Sequence, residues 1–492
     1  MMRSGRVLSR SAPLVAALLS GAGACDGTTG LSGGVRIVSG DRVTDTAATE
    51  LPNPLVVQVA STSGQPVAGV QVQFVMVPGY SFTPAGLRTH TYVYAATDTT
   101  DAHGLASVRI ELGGYAGEDS VIVRVPTLDI QAVARYTVLP GAAAGVAVLP
   151  VDTVVYVDRG FRLRGSTTDR WGNPRGEPVA YTSSAEVAIN GDSLTGRTVG
   201  RATITATAGG RTGVGWVSVV PRGTVAALLS RVSGPDTARL VLFNLDGSGF
   251  RSFDLPYFAN PEPDWAPSGD VWVMQDAGAL GENPHLVLMD FSGARRRLID
   301  SSAGFTGEYY PQYSVDGTWI YFAGGLPGRR AEIWRVHPDG SGAEQVGARA
   351  DSYDGDLQPS PSPDGTRLAF TRTPDCCYDL LVRVLHVSTG AIDTLQRANG
   401  TPIAGVRPRW SPTADVIAYA NAGQIWLMQP DASSERTGSP PGHGYGAFDW
   451  SPDGRWLIAE SDADLLYVIE PATGLALPLP FTSRFRQPAW RP

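Results

Sequence analysis

The sequence predicts an all-β protein, and three features indicate this fold class. A short phrase recurs six times in the C-terminal half, and its fullest copy is Asp449-Trp450-Ser451-Pro452-Asp453-Gly454. The 58 glycines and 37 prolines among 492 residues make the chain rich in turns. In the N-terminal half, segments such as Leu55-Val56-Val57-Gln58-Val59 alternate in the pattern of half-buried strands. A chain of this length predicts several domains rather than one core.

The first residues predict a targeting segment. Arg3, Arg6 and Arg10 precede a short apolar run, which is below the roughly 20 residues needed to span a bilayer. We therefore expect a signal peptide over residues 1–24. Residues 25–34, rich in Gly and Thr, are expected to form a flexible tether.

Cys25 directly follows the small residues Gly21-Ala22-Gly23-Ala24, and this arrangement resembles the processing site of bacterial lipoproteins. The resemblance implies that Cys25 becomes the acylated first residue of the mature protein. The chain would then be anchored to a membrane in the cell envelope, on the periplasmic side or at the outer surface. The alternative is ordinary cleavage near Ala24, which leaves Cys25 as a plain thiol.

The remaining cysteines, Cys376 and Cys377, are neighbours in the sequence. Disulfides persist in exported proteins, so a vicinal disulfide between them is one expectation. Two free thiols in a loop are the other. No histidine stands near them, which argues against a zinc site.

Two small β-sandwich domains are expected before the repeats, over residues 35–140 and 141–221, because short alternating strands are separated there by turns. In the first, Gly64-Gln65-Pro66-Val67-Ala68-Gly69-Val70 resembles the first group of bacterial Ig-like domains. In the second, Gly200-Arg201-Ala202-Thr203-Ile204-Thr205-Ala206-Thr207 resembles the second group. The resemblance implies that both domains serve as spacers, with an adhesive tip as the alternative.

The recurring phrase predicts a β-propeller over residues 222–492. Its aromatic position, here named the Trp column, falls at residues 265, 313, 361, 410, 450 and 490. Steps of 40 to 49 residues match the period of four-stranded blades. Residues 224–253 supply strands that no phrase precedes, and residues 486–492 supply a phrase that no strand follows. Joined, they make one blade, which predicts six blades in a ring closed by the C-terminal strand.

This half resembles the TolB-type, WD40-like propeller family. Pro408-Arg409-Trp410-Ser411-Pro412 and Trp450-Ser451-Pro452-Asp453-Gly454 carry the resemblance. It implies the fold and not the Tol role, since the helical N-terminal domain of TolB is replaced here by the Ig-like segments. Some relatives attach such a propeller to a peptidase, and no hydrolase domain is expected in this sequence.

The sequence predicts a protein without catalytic activity. It contains no H-E-x-x-H, G-x-S-x-G or Gly-Lys-Ser/Thr motif. A net charge of −8 argues against a nucleic-acid partner. Oligogalacturonate lyases use a propeller whose histidines hold a metal, but His285, His337, His386 and His443 stand at unlike places in their repeats. We therefore expect no metal site and no cofactor.

Polar residues one and three positions before the Trp column predict a ligand site at the channel mouth, since in this family the first strand of each blade lines the channel. Polar side chains there must reach water or a partner. The hypothesis is a site for an envelope protein or peptide, and the alternative is a solvated funnel without a ligand. A carbohydrate would instead favour the aromatic candidates Tyr309, Tyr310 and Tyr445. The candidate ligand residues are Glu262, Asp264, Tyr310, Gln312, Gln358, Arg407, Arg409 and Asp449.

Overall fold

The protein is all-β in its computed structural model, with two single-turn 3-10 helices, Pro126–Leu128 and Ser301–Ala303, in the described part of the chain. None of the helices described is long and apolar enough to cross a bilayer. The chain divides into two compact units, residues 1–142 with 169–173 and residues 143–168 with 174–492. The structure describes residues 34–76, 90–150, 152–229, 238–255, 261–276, 282–347, 355–374, 380–479, 481 and 484–492.

The first unit consists of two main sheets that share one core. Residues Leu55, Val57 and Val59 are fully buried while Val56 and Gln58 are not, which confirms the predicted alternation. Burial of these side chains stabilises the unit through the hydrophobic effect. The larger sheet contains Val43–Thr46, Ile130–Leu139, Gly117–Val125, Gln71–Met76 and Thr97–Thr99, in that order. The smaller sheet contains Gly34–Ser39, Leu55–Ala60 and Leu105–Val108, and a separate ladder pairs Tyr92–Val93 with Ile110–Glu111.

Residues 143–220 form three further sheets around a second core. Ile204, Ala206 and Val219 are fully buried at its centre. The side chains of Val154, Tyr156 and Val199 pack against another core that includes propeller residues. The sheets are Thr153–Tyr156, Arg211–Val220, Gly200–Ala208 and Ala180–Ser183; Ala143–Leu149, Arg164–Asp169 and Pro174–Arg175; and Gly160–Arg162, Ser193–Gly196 and Val187–Asn190.

The remaining residues form six antiparallel four-stranded sheets within the described ranges, the repeating architecture of a β-propeller. They are numbered here as sheets 1 to 6. Sheet 1 contains Thr224–Leu229, Ala238–Asn244, Arg251–Leu255 and Phe485–Trp490; sheet 2 contains Asp264–Trp265, Val271–Asp276, His285–Asp290 and Arg295–Arg297; sheet 3 contains Gly307–Tyr313, Ile320–Gly325, Glu332–Val336 and Glu344–Gln345. Sheet 4 contains Gly355–Pro361, Arg367–Thr373, Leu381–His386 and Ile392–Asp393; sheet 5 contains Val406–Trp410, Ile417–Asn421, Gln424–Met428 and Glu435–Thr437; sheet 6 contains Tyr445–Trp450, Leu457–Ser461, Leu466–Glu470 and Leu475–Pro478.

Sheet 1 is assembled from two distant parts of the sequence. Its strand Phe485–Trp490 runs antiparallel to Thr224–Leu229, with Leu229 opposite Phe485 and Val225 opposite Trp490. The strand that carries the Trp column lies at one edge of every sheet and is named here the inner strand. Each inner strand contacts those of two other sheets: 1 with 2, 2 with 3, and so on to 6 with 1.

Aromatic residues of the repeated phrase pack between neighbouring sheets. Trp265 of sheet 2 belongs to a core that also contains Ala226 and Leu228 of sheet 1. The Ser-Pro-Asp-Gly part of the phrase forms a tight turn. In its fullest copy the Ser451 hydroxyl donates to the Asp453 carboxylate and accepts from the backbone N–H of Trp456. Gly454 takes a φ of +67°, a conformation that favours glycine.

Candidate functional site

A cavity of about 260 Å³ opens where the inner strands end at the Ser-Pro-Asp-Gly turns. Four of the eight predicted ligand residues line it: Asp264, Gln312, Arg409 and Asp449. All four stand one position before the Trp column. Ser360, which has the same position in sheet 4, lines the cavity as well.

Three of these side chains also bind the neighbouring sheet. Asp264 Oδ2 accepts from the backbone N–H of Tyr313 at 2.7 Å, which joins sheets 2 and 3. Ser360 Oγ accepts from the N–H of Trp410 at 2.9 Å, and Asp449 Oδ2 accepts from the N–H of Trp490 at 2.7 Å. These bonds join sheets 4 and 5 and sheets 6 and 1. The acceptors therefore satisfy buried backbone donors, whatever else they bind.

Two other junctions use a tryptophan ring instead, because the preceding side chain cannot accept. Ala489 and Arg409 lack an acceptor in the side chain. Their backbone carbonyls accept from Trp265 Nε1 at 3.2 Å and from Trp450 Nε1 at 3.0 Å. The junction between sheets 3 and 4 has Pro361 in the Trp column, which has neither an indole nor a backbone N–H to donate.

Burial raises the pKa of both cavity carboxylic acids. The pKa of Asp264 rises from 3.8 to about 7, first because of burial and second because of the negative charge of Asp449. Burial also raises the pKa of Asp449. The Arg409 guanidinium and the backbone hydrogen bonds act in the opposite direction on both acids.

The Gln312 carboxamide is a polar group of the cavity that can bind a ligand. Its side chain lines the cavity, and the residue is only 8% exposed. The Gln312 side chain forms no hydrogen bond with any residue that the structure describes. A carboxamide both donates and accepts, so Gln312 can bind either kind of ligand group.

The other four predicted residues form a second layer that does not line the cavity. Glu262, Tyr310, Gln358 and Arg407 stand three positions before the Trp column, and all take a left-handed backbone conformation with φ between +38° and +56°. Gln487 of sheet 1 does the same, with φ +50°. Such a conformation is uncommon for residues other than glycine and costs about 1 kcal/mol or more.

A β-bulge explains this backbone conformation. Between Tyr309 and Gln312 the inner strand of sheet 3 has one more residue than its partner strand. Sheets 4 and 5 show the same shift, and so does the Phe485–Trp490 strand. Each left-handed residue directly precedes a proline, which cannot donate to the ladder and is tolerated at bulges. Sheet 6 also has a register shift, between Tyr445 and Phe448, but Phe448 stands in place of the proline and Ala447 lacks the positive φ. The positive φ therefore accompanies the bulge and the proline together.

The second layer is held together by its own side chains. The Glu262 carboxylate, whose side chain is 3% exposed, lies 2.8 Å from Arg407 Nη2. Gln487 Oε1 accepts from the backbone N–H of Glu262 at 3.2 Å. Gln358 Oε1 accepts from the N–H of Arg407 at 2.9 Å and from the Thr371 hydroxyl at 3.0 Å. These contacts connect residues of sheets 1, 2, 4 and 5, and none of these residues lines the cavity.

The aromatic candidates for a carbohydrate site are not exposed. Tyr445 is only 3% exposed and packs in the core between sheets 5 and 6, so the hypothesis that it is an exposed aromatic is wrong. Its position, five residues before the Trp column, faces that core. Tyr309 and Tyr310 are partly buried, and their ring centroids are 6.2 Å apart. Burial raises the pKa of Tyr310.

The four propeller histidines contact different partners. His285 Nδ1 lies 3.2 Å from the carbonyl oxygen of Asn283, and His337 stacks on Trp319. His386 Nε2 lies 2.8 Å from Asp393, and His443 Nε2 lies 3.3 Å from the Tyr467 hydroxyl. No group of three or more His, Cys, Asp or Glu side chains within the described ranges could hold a metal ion. Cys25, Cys376 and Cys377 lie outside the described residues.

Two buried acids that the sequence analysis did not identify, Glu308 and Asp356, both stand five positions before the Trp column. Burial raises the pKa of Glu308 to about 7, and one of its carboxylate oxygens accepts from the N–H of Leu286. Asp356 is 4% exposed and forms two 2.8 Å hydrogen bonds with Arg372. The signal in the sequence was the recurrence of an acid at this position in two repeats.

The chain is similar in sequence to a known protein, but this similarity does not establish a family. No protein-family model matches the chain. An uncharacterized protein of Agrobacterium fabrum, Atu1656, is 29% identical over 209 residues, which cover 41% of this chain and 67% of that protein.

Several solved structures are similar at low identity. TolB from Acinetobacter baumannii is 16% identical with a TM-score of 0.44, covering 64% of this chain and 83% of that one. A putative TolB from Agrobacterium tumefaciens is 15% identical with a TM-score of 0.43, covering 54% of this chain and 91% of that one. An oligogalacturonate lyase in complex with manganese is 15% identical with a TM-score of 0.34, covering 53% and 74%. The propeller assignment rests on the sheet topology.

Proposed function

We propose that this protein is an exported, lipid-anchored binding protein of the bacterial cell envelope, without catalytic activity. Two Ig-like domains, residues 35–140 and 141–221, act as spacers from an anchor at Cys25. They present a TolB-like propeller whose cavity binds a protein partner. The cavity at the end of the inner strands is the observation that carries the proposal.

The proposal includes closure of the propeller into a six-bladed ring. Three observations support it. The Phe485–Trp490 strand pairs with Thr224–Leu229, which gives sheet 1 its fourth strand. The contacts between inner strands run from sheet 1 through sheet 6 and return to sheet 1. The Glu262–Arg407 ion pair joins sheets 2 and 5, which would face each other across such a ring.

The composition of the cavity supports binding of a protein segment. Its wall combines the polar side chains Asp264, Gln312, Arg409 and Asp449 with an apolar rim. Apolar lining with a few polar groups is typical of binding sites. Val315, at a turn on the rim, is 47% exposed. The rim, as the term is used here, consists of the apolar, aromatic and proline residues of the lining: Trp265, Pro267, Tyr313, Val315, Pro361, Trp410, Pro412, Trp450, Pro452, Trp490 and Pro492.

The non-catalytic part of the proposal is supported by the placement of the titratable groups. Asp264 and Asp449 bind backbone amides, which gives both of them a structural role. The four propeller histidines have separate partners outside the cavity lining. No nucleophile–base hydrogen bond of the kind that activates a serine is found among the cavity side chains described.

A crosslinking capture experiment tests this function. The full chain is displayed in the cognate envelope, crosslinked and purified, and compared with the Val315→Arg variant at the cavity rim. Phe250→Arg is the matched control, since Phe250 is 54% exposed and does not line the cavity. We expect a partner protein that is captured by the unchanged chain and by Phe250→Arg and lost with Val315→Arg. Capture unaffected by Val315→Arg, or capture of polysaccharide alone, would contradict the proposal.

A further inference from the structure

The polar floor of the cavity has more acidic than basic groups. Of the side chains that line it, Asp264 and Asp449 are acidic and Arg409 is basic. Within the described part of the chain, neither carboxylate is ion-paired, and the Arg409 guanidinium donates only a 3.4 Å bond to the carbonyl of Pro408. Asp264 accepts from the backbone N–H groups of Tyr313 and Trp265. Asp449 accepts from those of Trp490 and Trp450. Because a carboxylate has about four lone-pair sites, each can still accept a hydrogen bond from a ligand.

The arrangement of the sheets leaves room beside these carboxylates. Asp264 belongs to sheet 2 and Asp449 to sheet 6, and the inner strands of both contact that of sheet 1. Sheet 1 contributes Ala489 at the corresponding position, so no long side chain stands there. Gln312 of sheet 3 adds a carboxamide without a partner among the described residues.

The size and the rim of the cavity indicate how much of a ligand can enter. Its volume of about 260 Å³ lies below the roughly 300–1,000 Å³ of pockets that enclose a whole small-molecule ligand. It therefore suits one inserted side chain better. Proline and tryptophan rings at the rim, among them Pro412 and Trp450, can pack along the methylene groups of a long side chain.

We propose, on the basis of the proposed function, that the cavity binds one lysine or arginine side chain of the partner, whose charged end lies between Asp264 and Asp449. The carbonyl oxygen of Gln312 accepts a further hydrogen bond from that group. The partner's aliphatic stem packs against the rim. The two carboxylates share one nearby guanidinium, that of Arg409, so a second cation would balance the remaining negative charge when both are ionised.

Host peptides of the form acetyl-Gly-Pro-X-Pro-Gly-amide test the proposal directly. X is lysine, arginine, norleucine, glutamine or glutamate, and binding to the full chain is measured by ligand-observed NMR at millimolar concentration. We expect the lysine and arginine peptides to bind about tenfold more tightly than the norleucine peptide, because a charge-assisted hydrogen bond is lost in the latter. Norleucine equal to lysine, glutamate binding most tightly, or no binding by either basic peptide would each overturn the proposal.

Isosteric variants assign the effect to the two acids. Asp264→Asn and Asp449→Asn keep an acceptor for the backbone amide and remove the charge, so each is expected to weaken the basic peptides about tenfold. Asp393→Asn is the matched control, since Asp393 pairs with His386 outside the cavity lining. Equal affinity in the variants and the control would overturn the proposal. The capture experiment can also identify a partner that inserts a residue other than lysine or arginine into the cavity. That result would overturn this inference and leave the proposed function intact.

Discussion

Arg407 Nη2 lies 2.8 Å from Glu262 Oε1, an ion pair that joins the inner strands of sheets 5 and 2. The two residues have the same position relative to the Trp column, and both take a left-handed backbone conformation. Their side chains contact each other and do not line the cavity. Their pairing makes them part of the framework that supports the four cavity residues.

Removing one partner of this pair is expected to destabilise the propeller. The Glu262 side chain is 3% exposed, so Arg407→Met leaves a buried carboxylate without its counter-ion, at a cost on the order of 3 kcal/mol. Differential scanning calorimetry measures the effect. The double variant Glu262→Leu with Arg407→Met should be more stable than Arg407→Met alone, because no unpaired charge remains. A double variant less stable than the single one would contradict this explanation.

Stability of the propeller should depend on the hydrogen-bond acceptor of Asp449, at the junction of sheets 6 and 1, rather than on its charge. Asp449→Ala leaves the N–H of Trp490 without the bond that it now makes at 2.7 Å. We expect a loss of about 1–3 kcal/mol. Asp449→Asn retains an acceptor and should lose less or gain. Chemical denaturation compares the two, and equal losses would show that the hydrogen bond is not the cause.

The stability gain from Asp264→Asn should depend on pH. The pKa of this acid is about 7 in the folded protein against an ordinary value of 3.8, so its ionisation disfavours the folded state as pH rises through that interval. The asparagine side chain does not ionise, so the variant avoids this cost. The gain in the free energy of unfolding has an upper bound on the order of 4 kcal/mol. We expect a small gain near pH 4 that increases up to pH 8. The groups facing Asp264 are Asp449, Arg409 and Tyr313. Melting temperatures at several pH values check this, and a constant gain would contradict it.

Two turn glycines should respond differently to alanine. Gly340 and Gly365 both take positive φ, at +93° and +68°. A Cβ at Gly340 would collide with the carbonyl oxygen of Leu298, whereas a Cβ at Gly365 meets open space. Gly365→Ala therefore costs only backbone strain, about 1 kcal/mol. Gly340→Ala adds a steric clash with the backbone and should lower the melting temperature further. Equal melting temperatures would contradict this reading of the turns.

The predicted anchor at Cys25 is tested by substitution. Cys25→Ser removes the thiol that would carry the lipid, so on the proposed function the protein should move from the membrane fraction to the soluble envelope fraction. Cell fractionation and labelling with a radioactive fatty acid measure this. Cys376→Ser is the control and should remain membrane-bound and labelled. Labelling of Cys25→Ser would show that the lipid is attached elsewhere.

Much of the propeller could be predicted because the repeated phrase carries its own structural causes. Proline and Asp-Gly define the turn, and the apolar run that follows defines the next strand. The position of the Trp column then determined which residues stand on the inner strands. Asp264, Gln312, Arg409 and Asp449 were identified in this way, and the structure places all four around one cavity.

The separation of the candidate residues into two layers could not be predicted from periodicity alone. A regular strand would direct positions one and three to the same face, and the bulge between Tyr309 and Gln312 breaks that rule. The proline that accompanies the bulge is visible in the sequence, but its effect depends on the pairing with the next strand. Tyr445 shows a related limit, since its burial depends on packing between two sheets.

The composition of sheet 1 determines when folding can finish. Thr224–Leu229 emerges early during synthesis, and its partner Phe485–Trp490 emerges only after the other five sheets. Until then the nascent chain presents an unpaired strand edge, the kind of surface on which chains aggregate. An exported chain would therefore have to shield that edge, by chaperones or by rapid transport, throughout its passage to the envelope.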